Sequence, residues 1–416
     1  MKILLISIGT RGDMEPFLAI GEILEEKGHE VICSFPEHFR SLAEESNIKF
    51  ASLGRKYTKL LNSAAWKAFM GGGSTGLRKL FSLIRLSIES SQINKGLIFK
   101  QYEIIKKERP DRILYNGKSI YPIIWEINNR GKTILISPIP YIHYVKGHTH
   151  VAFHSNFGSF FNKLTYSFAD FGLVITIIIA IKWLNIQRKI TRKQIKKTIS
   201  SRKVIYTISP TLFPKPEYWN KNIKVLGYQE RDKTINWKPE KNLEKYMTKH
   251  NKILFITFGS MTNPNPEKKT NVILGILEKH NIPAIINTAS GGLIKPLKYN
   301  TKLFHFVKQV PYDWIFPKIY AVIHHGGSGT THTAIKHGCA TMIIPHIIDQ
   351  YAWNDLVSDL GIGPVGIAVN KLKIKSLEPK ILDLFQNHSY KTRALWISKK
   401  LKREDFKESL YKTIIE

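Results

Sequence analysis

Twice along the chain a strand-length apolar run meets a glycine turn and then a helix-length amphipathic run. That repetition limits the fold more than any other feature. KILLISIG (2–9) reads as a strand, PFLAIGEILEEKGH (16–29) has helical periodicity closed by Gly28, and EVICSF (30–35) reads as a strand again. Strand, helix and strand in that order make a βαβ unit, which implies a parallel sheet. RILY (112–115), TILIS (133–137) and VIYTIS (204–209) extend it, with a flexible loop predicted at GGGSTG (71–76). The pattern lapses over 210–241, which is rich in Pro and charge and reads as a linker. It then restarts with the strand KILFITFG (252–259) and a helix over 265–281. Further strands follow at 283–288, 302–307, 320–324 and 340–345. The expectation is two doubly wound α/β halves, each able to bind a ligand outside the carboxyl ends of its strands.

Charge narrows the partners. Lys and Arg number 63 against 32 Asp and Glu, a net charge of +31. Such a field attracts anions and acidic membranes, although Lys is abundant along the whole chain and composition bias is an equal reading. Nucleic acid is not expected, because no stacking platform or reading motif accompanies the charge. The two cysteines, Cys33 and Cys339, lie far apart in no metal-like spacing, which suits a reducing compartment. MKILLISIGTRG reads as a first strand rather than a signal peptide, since its apolar stretch is short and no cleavage-type site follows. FGLVITIIIAI (171–181) falls short of the roughly 20 apolar residues of a membrane span. Beside it, 181–203 carries nine Lys or Arg, and no acid occurs from 171 to 216. A basic amphipathic helix touching an anionic membrane through 171–203 is one reading; the solvated face of a core helix is the other.

Two common phosphate motifs fail. Gly9 and Gly12 lie three apart and the second strand ends without the acid of a dinucleotide fingerprint. The single GKT, at 131–133, has Glu126 where a P-loop needs glycine. A different arrangement stands out in VIHHGGSGTTHTAIKHGCATMIIPHIIDQ (322–350). His324 ends a strand, Gly326, Gly327, Ser328 and Gly329 form a turn, and a helix opens at Thr330 and Thr331. Free amides at a helix start favour a phosphate, and an imidazole N–H can donate to a diphosphate oxygen. Asp349 and Gln350 follow the next strand and offer acceptors and donors for sugar hydroxyls. Ser260, in the turn FGSMT after the other strand, is a further phosphate candidate. The plain alternatives are a core histidine at 324, helix capping by Asp349 and an ordinary turn at Ser260.

The pattern His324-x-Gly326-x-x-Gly329, then Pro345-x-x-x-Asp349-Gln350, resembles the donor signature of nucleotide-sugar-dependent glycosyltransferases of the GT-B fold, family 1 type. QVPYDWIFP (309–317) looks like the start of that signature. GTRGDMEPFLAIGEILEEKGHEV (9–31) is similar to the opening of the sterol glucosyltransferase and glycopeptide-antibiotic glycosyltransferase branch, and 134–140 and 209–228 fit it too. The resemblance implies two facing Rossmann-like domains with an interdomain cleft. The boundaries expected are an acceptor domain over 1–212, a linker over 213–250, a donor domain over 251–395 and a helix over 396–416 crossing back to the first domain. It implies inverting transfer of a hexose from a nucleotide diphosphate sugar, UDP-glucose-like, to a hydroxyl of a lipophilic or aromatic acceptor. No cofactor and no metal are implied. Gln309, Val310, Pro311 and His332 fall in its base and ribose region, but Gln309 replaces the usual Trp and His332 the usual Glu.

Asp13 is the candidate base, because an inverting attack needs the acceptor proton removed; its alternative is an N-cap of the helix that follows. Gly9, Thr10, Arg11 and Gly12 form the acceptor-side loop around it. Four histidines at 143, 148, 150 and 154 suit an acceptor-lining loop better than a metal site, since no Cys or carboxylate joins them. Competing functions are an epimerase or hydrolase on the same fold and a silent nucleotide-sugar or anionic-lipid binder. The expected location is cytoplasmic, peripheral to the inner face of a membrane.

Overall fold

The computed structural model describes residues 1–55, 57, 77–153, 156–231, 237–263 and 265–416, with the backbone alone at 77–90. The loop 71–76 and His154 lie outside them. The chain divides into two compact units: Met1–Ser63, Leu83–Asp232 and Asp405–Glu416 in the first, Ala64–Ser82 and Lys233–Glu404 in the second.

The first unit is built on β1 (Lys2–Ile6), β2 (Glu30–Ser34), β3 (Lys49–Phe50), β4 (Arg112–Tyr115), β5 (Thr133–Ser137), β6 (Lys203–Tyr206) and β7 (Ile223–Val225). These strands pair in parallel in the order β3-β2-β1-β4-β5-β6-β7. Their helices are α1 (Arg11–Glu26), α2 (Arg40–Glu44), α3 (Leu77–Glu108), α4 (Tyr121–Glu126), α5 (Ser159–Trp183) and α6 (Arg192–Ser201). Residues 3–6 of β1 are all fully buried, so both faces of this strand are covered. That is why it reads as a continuous apolar run rather than an alternating one.

The second unit holds α7 (Lys241–Thr248), β8 (Leu254–Thr257), α8 (Pro266–Lys279), β9 (Ala284–Asn287), β10 (Phe304–Val307) and α9 (Tyr312–Ile315). It continues with β11 (Ala321–His324), α10 (Ser328–Lys336), β12 (Ala340–Ile343), α11 (Ile348–Asp359), α12 (Ile374–Gln386) and α13 (His388–Leu401). Its parallel sheet runs β10-β9-β8-β11-β12. Leu254 and Ile256 enter one core cluster and Phe255 the other, so this sheet too is covered on both faces. The last helix, α14 (Lys407–Ile415), returns to the first unit, where Leu410 and Ile414 join the core with Leu18, Leu24 and Val31.

Both sheets reverse direction once. The chain leaves β1 towards β2 and β3, then comes back to lay β4 on the other side. It leaves β8 towards β9 and β10, then returns at β11. Ligands in such sheets bind beyond the carboxyl ends of the strands flanking the reversal.

Several elements differ from the sequence reading, among them the helix expected over 396–416, which is two, α13 ending at Leu401 and α14 starting at Lys407. α1 begins at Arg11, not at residue 16, because Thr10 and Asp13 form a capping box that starts the helix earlier. The run 210–241 is not wholly linker: Ile223 and Val225 are buried and make β7, a strand too short to show a period between its Pro-rich flanks. The basic run 181–203 is not one helix. α5 ends at Trp183, Asn185 turns with φ of +49°, and α6 restarts at a Thr191–Gln194 capping box. The apolar helix is longer than 171–181: α5 has 25 residues and is the one described helix long and apolar enough to cross a membrane.

Candidate functional site

In the first unit the reversal point lies between the turn after β1 and the turn after β4. Asn116, just beyond β4, donates its side-chain amide to the Ile8 carbonyl at 2.7 Å and to Ser7 Oγ at 3.0 Å. Ser7 Oγ in turn donates to the Asp13 carbonyl at 2.8 Å. The two turns are therefore stitched together by buried polar groups, each bonded as burial requires.

Asp13 sits at the third position of α1. Its Oδ2 accepts from the Thr10 amide at 2.7 Å and from the Thr10 hydroxyl at 3.2 Å. Its Oδ1 accepts from Lys118 Nζ at 2.9 Å, and the side chain is 14% exposed. The capping alternative is thus part of the arrangement, though as the reciprocal member of the box rather than as the N-cap. Gly9 has φ of +148°, and a Cβ there would fall 2.1 Å from Asp13 Oδ2. Only glycine leaves the carboxylate its place. Arg11 and Gly12 are exposed; Arg11 pairs with Glu15 at 2.8 Å, as does the enclosed Arg231.

In the second unit the reversal point lies between β8 and β11. The turn at Gly259–Ser260 and the turn at His325–Gly327 are in contact. A Cβ on Gly259 would meet the His325 ring at 2.7 Å, and one on Gly327 would meet it at 2.5 Å. His325 thus fills the space between two glycine turns, and burial pulls its imidazole down to about 4. Ser260 beside it is exposed.

His324 is fully buried at the end of β11. The Gly326 amide donates to its Nδ1 at 3.0 Å, so the ring proton belongs on Nε2. Burial and the neighbouring His325 hold it well below its ordinary value, hence neutral. Its Nε2 has no hydrogen-bond partner. A buried donor left without a partner in a native fold needs a reason, and a bound acceptor is one.

α10 starts at Ser328 with Gly327 as N-cap, two residues earlier than the sequence suggested. Ser328, Gly329 and Thr330 are therefore the first turn of the helix itself, whose amides have no partner within it. Gly326 has φ of +93°, and a Cβ there would strike Ile343 at 2.7 Å and Gln350 at 3.1 Å. The turn is consequently packed against α11.

Gln350 and His332 take parts the sequence did not suggest. The Gln350 side-chain oxygen accepts from the amides of His346 at 2.8 Å and Ile347 at 3.2 Å, and its amide reaches Met261 Sδ at 3.4 Å. It braces the loop entering α11, while half-buried Asp349 stands beside it. His332 is enclosed: its Nδ1–H donates to the Ser328 carbonyl at 2.8 Å and its ring meets Trp353 edge-on. It is a brace within α10 rather than a face open to a ribose. Gln309 is exposed just past β10, Val310 is in the core, and Pro311 caps α9.

The histidine loop after β5 packs as an aromatic cluster. His143 Nδ1 lies 2.7 Å from the Tyr206 hydroxyl, His148 stacks on Tyr141, and His150 meets Tyr166 edge-on. Burial lowers His143 to about 3 and His150 to about 4. Among the described residues no three of His, Cys, Asp and Glu gather as metal ligands would.

Sequence reasoning missed Lys118 and Asn116. Both follow the strand RILY, and the rule that sites form where the sheet reverses would have marked that turn.

Known proteins match both halves. Residues 3–119 match the glycosyltransferase family 28 N-terminal domain, and residues 280–408 match the erythromycin biosynthesis protein CIII-like C-terminal domain. The chain is 29% identical to the sterol 3-beta-glucosyltransferase UGT80A2 of Arabidopsis thaliana, over 97% of this chain and 64% of that protein. It is 25% identical to the sterol 3-beta-glucosyltransferase of Vanderwaltozyma polyspora, over 96% of this chain and 33% of that protein. The chain thus spans about two thirds of the plant relative and a third of the fungal one. Among solved structures, the glycotransferase of kitacinnamycin superposes with a TM-score of 0.71 at 14% identity, covering 99% of each chain. The spinosyn rhamnosyltransferase SpnG complexed with thymidine diphosphate gives 0.64 at 13% identity, covering 100% of each.

Proposed function

From the premise that the chain is a member of the family 1-type GT-B glycosyltransferases, we propose that it moves a hexose from a nucleotide diphosphate sugar to a hydroxyl of a lipophilic acceptor. The second unit takes the donor. The observation that carries this is the neutral, fully buried His324 with an unpartnered Nε2, next to the glycine turn that opens α10. Nε2–H and the first-turn amides donate to the diphosphate and stabilise the charge that grows there as the sugar leaves. Asp349 serves the sugar hydroxyls. Exposed Gln309 stands where the base is expected, and it has no flat ring on which to stack one.

The first unit takes the acceptor. The acceptor oxygen attacks the anomeric carbon, the bond from that carbon to the diphosphate oxygen breaks, and the nucleoside diphosphate leaves with the electron pair. The acceptor proton passes to the Asp13 carboxylate. Attack from the face opposite the leaving group inverts the anomeric centre. Lys118 and Thr10 fix the carboxylate before the acceptor arrives, which is the preorganisation a general base needs.

The sterol glucosyltransferase relatives support glucose as the sugar and a sterol-like hydroxyl as the acceptor. A thymidine diphosphate complex of a structural neighbour keeps thymidine beside uridine as the base. An epimerase or hydrolase is not favoured, because the relatives named are transferases. We place the enzyme in the cytoplasm.

The test is to incubate the full chain with UDP-glucose or dTDP-glucose and a sterol mixture and to look for hexosyl sterols by mass spectrometry. Transfer by wild type that is lost in Asp13→Asn supports the reading. No thermal shift with UDP, UDP-glucose or dTDP-glucose would sink the donor site.

A further inference from the structure

α5 has two unlike faces. At 100° per residue, Phe161, Phe168, Phe171, Ile175 and Ile179 fall within one narrow stripe, and Lys182 continues it at the carboxyl end. The stripe faces outward: Phe168 is 64% exposed, Phe171 57% and Phe161 60%. Most of the opposite face packs inward. Asn162, Tyr166, Val174, Ile177 and Ala180 are buried, and the helix packs on α4 and α6. From Phe161 to Ile179 the stripe runs about 27 Å at 1.5 Å per residue. No charged residue lies on it before Lys182. Contiguous exposed apolar surface of this length marks an interaction site.

Charge identifies the partner. α6 follows directly and carries Arg192, Lys193, Lys196 and Lys197 on its exposed side, while Ile195 and Ile199 face the core. Lys182, Arg188 and Lys189 lie between the two helices, and no acid occurs anywhere from 171 to 216. An apolar aromatic stripe that ends in a run of cations, with Asp170 the one acid of α5 and off the stripe, complements one surface above others: acyl chains beneath anionic headgroups. The helices on which its other side packs, α4 and α6, have six and ten residues and are too short to cross a bilayer beside it, which favours a position along the interface rather than across it, despite its 25 residues.

We propose that the exposed stripe of α5 docks the chain on an anionic bilayer, with the phenylalanine rings in the acyl boundary and Lys182 and the α6 cations on the headgroups. The sequence located membrane contact in the basic run; the structure moves the apolar half of it to the preceding helix and begins it at Phe161.

Vesicle co-sedimentation of the full chain tests this. Wild type is expected to bind vesicles of equimolar phosphatidylcholine and phosphatidylglycerol, and to bind pure phosphatidylcholine or high-salt samples more weakly by about tenfold. Phe168→Ser/Phe171→Ser is expected to lower binding to the mixed vesicles by on the order of tenfold or more. Its melting temperature and UDP affinity should equal those of wild type, which separates docking from folding and from the donor site. Failure of wild type to bind would overturn the proposal, as would equal binding by the double variant. A wild-type dimer that the double variant converts to monomer would also overturn it, because the stripe would then cover a second copy. UDP binding plays no part in the vesicle result, so loss of the donor-site reading leaves this one standing.

Discussion

Lys118 Nζ lies 2.9 Å from Asp13 Oδ1, joining the turn after β4 to the turn after β1 at the point where the first sheet reverses. The pair is half open to solvent on the lysine side, so its own stabilisation is small, about 0–1 kcal/mol. Its larger effect is on where the carboxylate points. We expect Asp13→Asn to lower transfer by about 10²–10⁴-fold with UDP affinity unchanged. Lys118→Ala should cost about tenfold in kcat with a melting temperature near that of wild type. Steady-state kinetics and calorimetry on the two variants check this, and a Lys118 variant with full activity would remove Lys118 from the mechanism.

Gly9 and Gly12 flank the same carboxylate but make different demands. A Cβ on Gly9 overlaps Asp13, whereas one on Gly12 meets only Thr10 Oγ1, at 3.9 Å. Gly9→Ala is therefore expected to abolish transfer nearly as fully as the Asp13 variant and to cost about 1–3 kcal/mol of stability. Gly12→Ala, within the first turn of α1, should be neutral or stabilising by up to about 1 kcal/mol. Chemical denaturation beside activity assays distinguishes the two.

The unpartnered His324 Nε2 makes a prediction about affinity. Hydrogen bonds to charged groups contribute about 1.5–3 kcal/mol. His324→Ala should then weaken UDP by roughly 10–100-fold, and weaken uridine without phosphates far less. Isothermal titration with both ligands reads the difference. Equal losses for UDP and uridine would mean that His324 shapes the pocket without touching the diphosphate.

Acidification should loosen both units. Burial pulls His325 and His332 to about 4 and His346 to about 3 in the second unit, and His143 to about 3 in the first. Each binds its proton less readily folded than unfolded, where the ordinary value is near 6.5. Above that value both states are neutral and the stability is full. As pH falls from about 6.5 towards 4 the unfolded chain gains protons first, and each imidazole removes up to about 1.4 kcal/mol per pH unit. The melting temperature should hold above pH 7 and drop steeply between pH 6 and 4. A flat profile across that window would contradict the burial of these rings.

Leu410 tests the return of α14. It is fully buried among residues of α1 and β2. Leu410→Ala should destabilise the first unit by about 2–5 kcal/mol. UDP binding to the second unit at low temperature should persist, which calorimetry on the variant will show.

Much of this was legible beforehand because parallel strands buried on both faces appear as unbroken apolar runs. RILY and TILIS match β4 and β5 residue for residue. His324 at a strand end was legible for the same reason, since the run VIHH stops at the turn. What was hidden depended on contacts distant in sequence. Lys118 gains meaning only when β4 is laid beside β1. Gln350 and His332 are polar residues within a recognisable signature, and nothing in their spacing tells that one braces a loop and the other its own helix. β7 was lost because three residues carry no period, and the outward stripe of α5 because an apolar run does not tell which of its faces the core will cover.

The return of α14 also orders events during synthesis. About 170 residues separate the end of the first unit's main body at Asp232 from its final piece at Asp405. At roughly 5–20 residues per second they take on the order of 10–35 seconds to emerge. Throughout that interval the seat of Leu410 and Ile414 over α1 and β2 stays uncovered, while the second unit is made and gains its last strand at Ile343. The unit made first is thus the one completed last, and a nascent chain stalled before Asp405 presents an apolar groove that chaperones or a neighbouring copy's α14 can occupy.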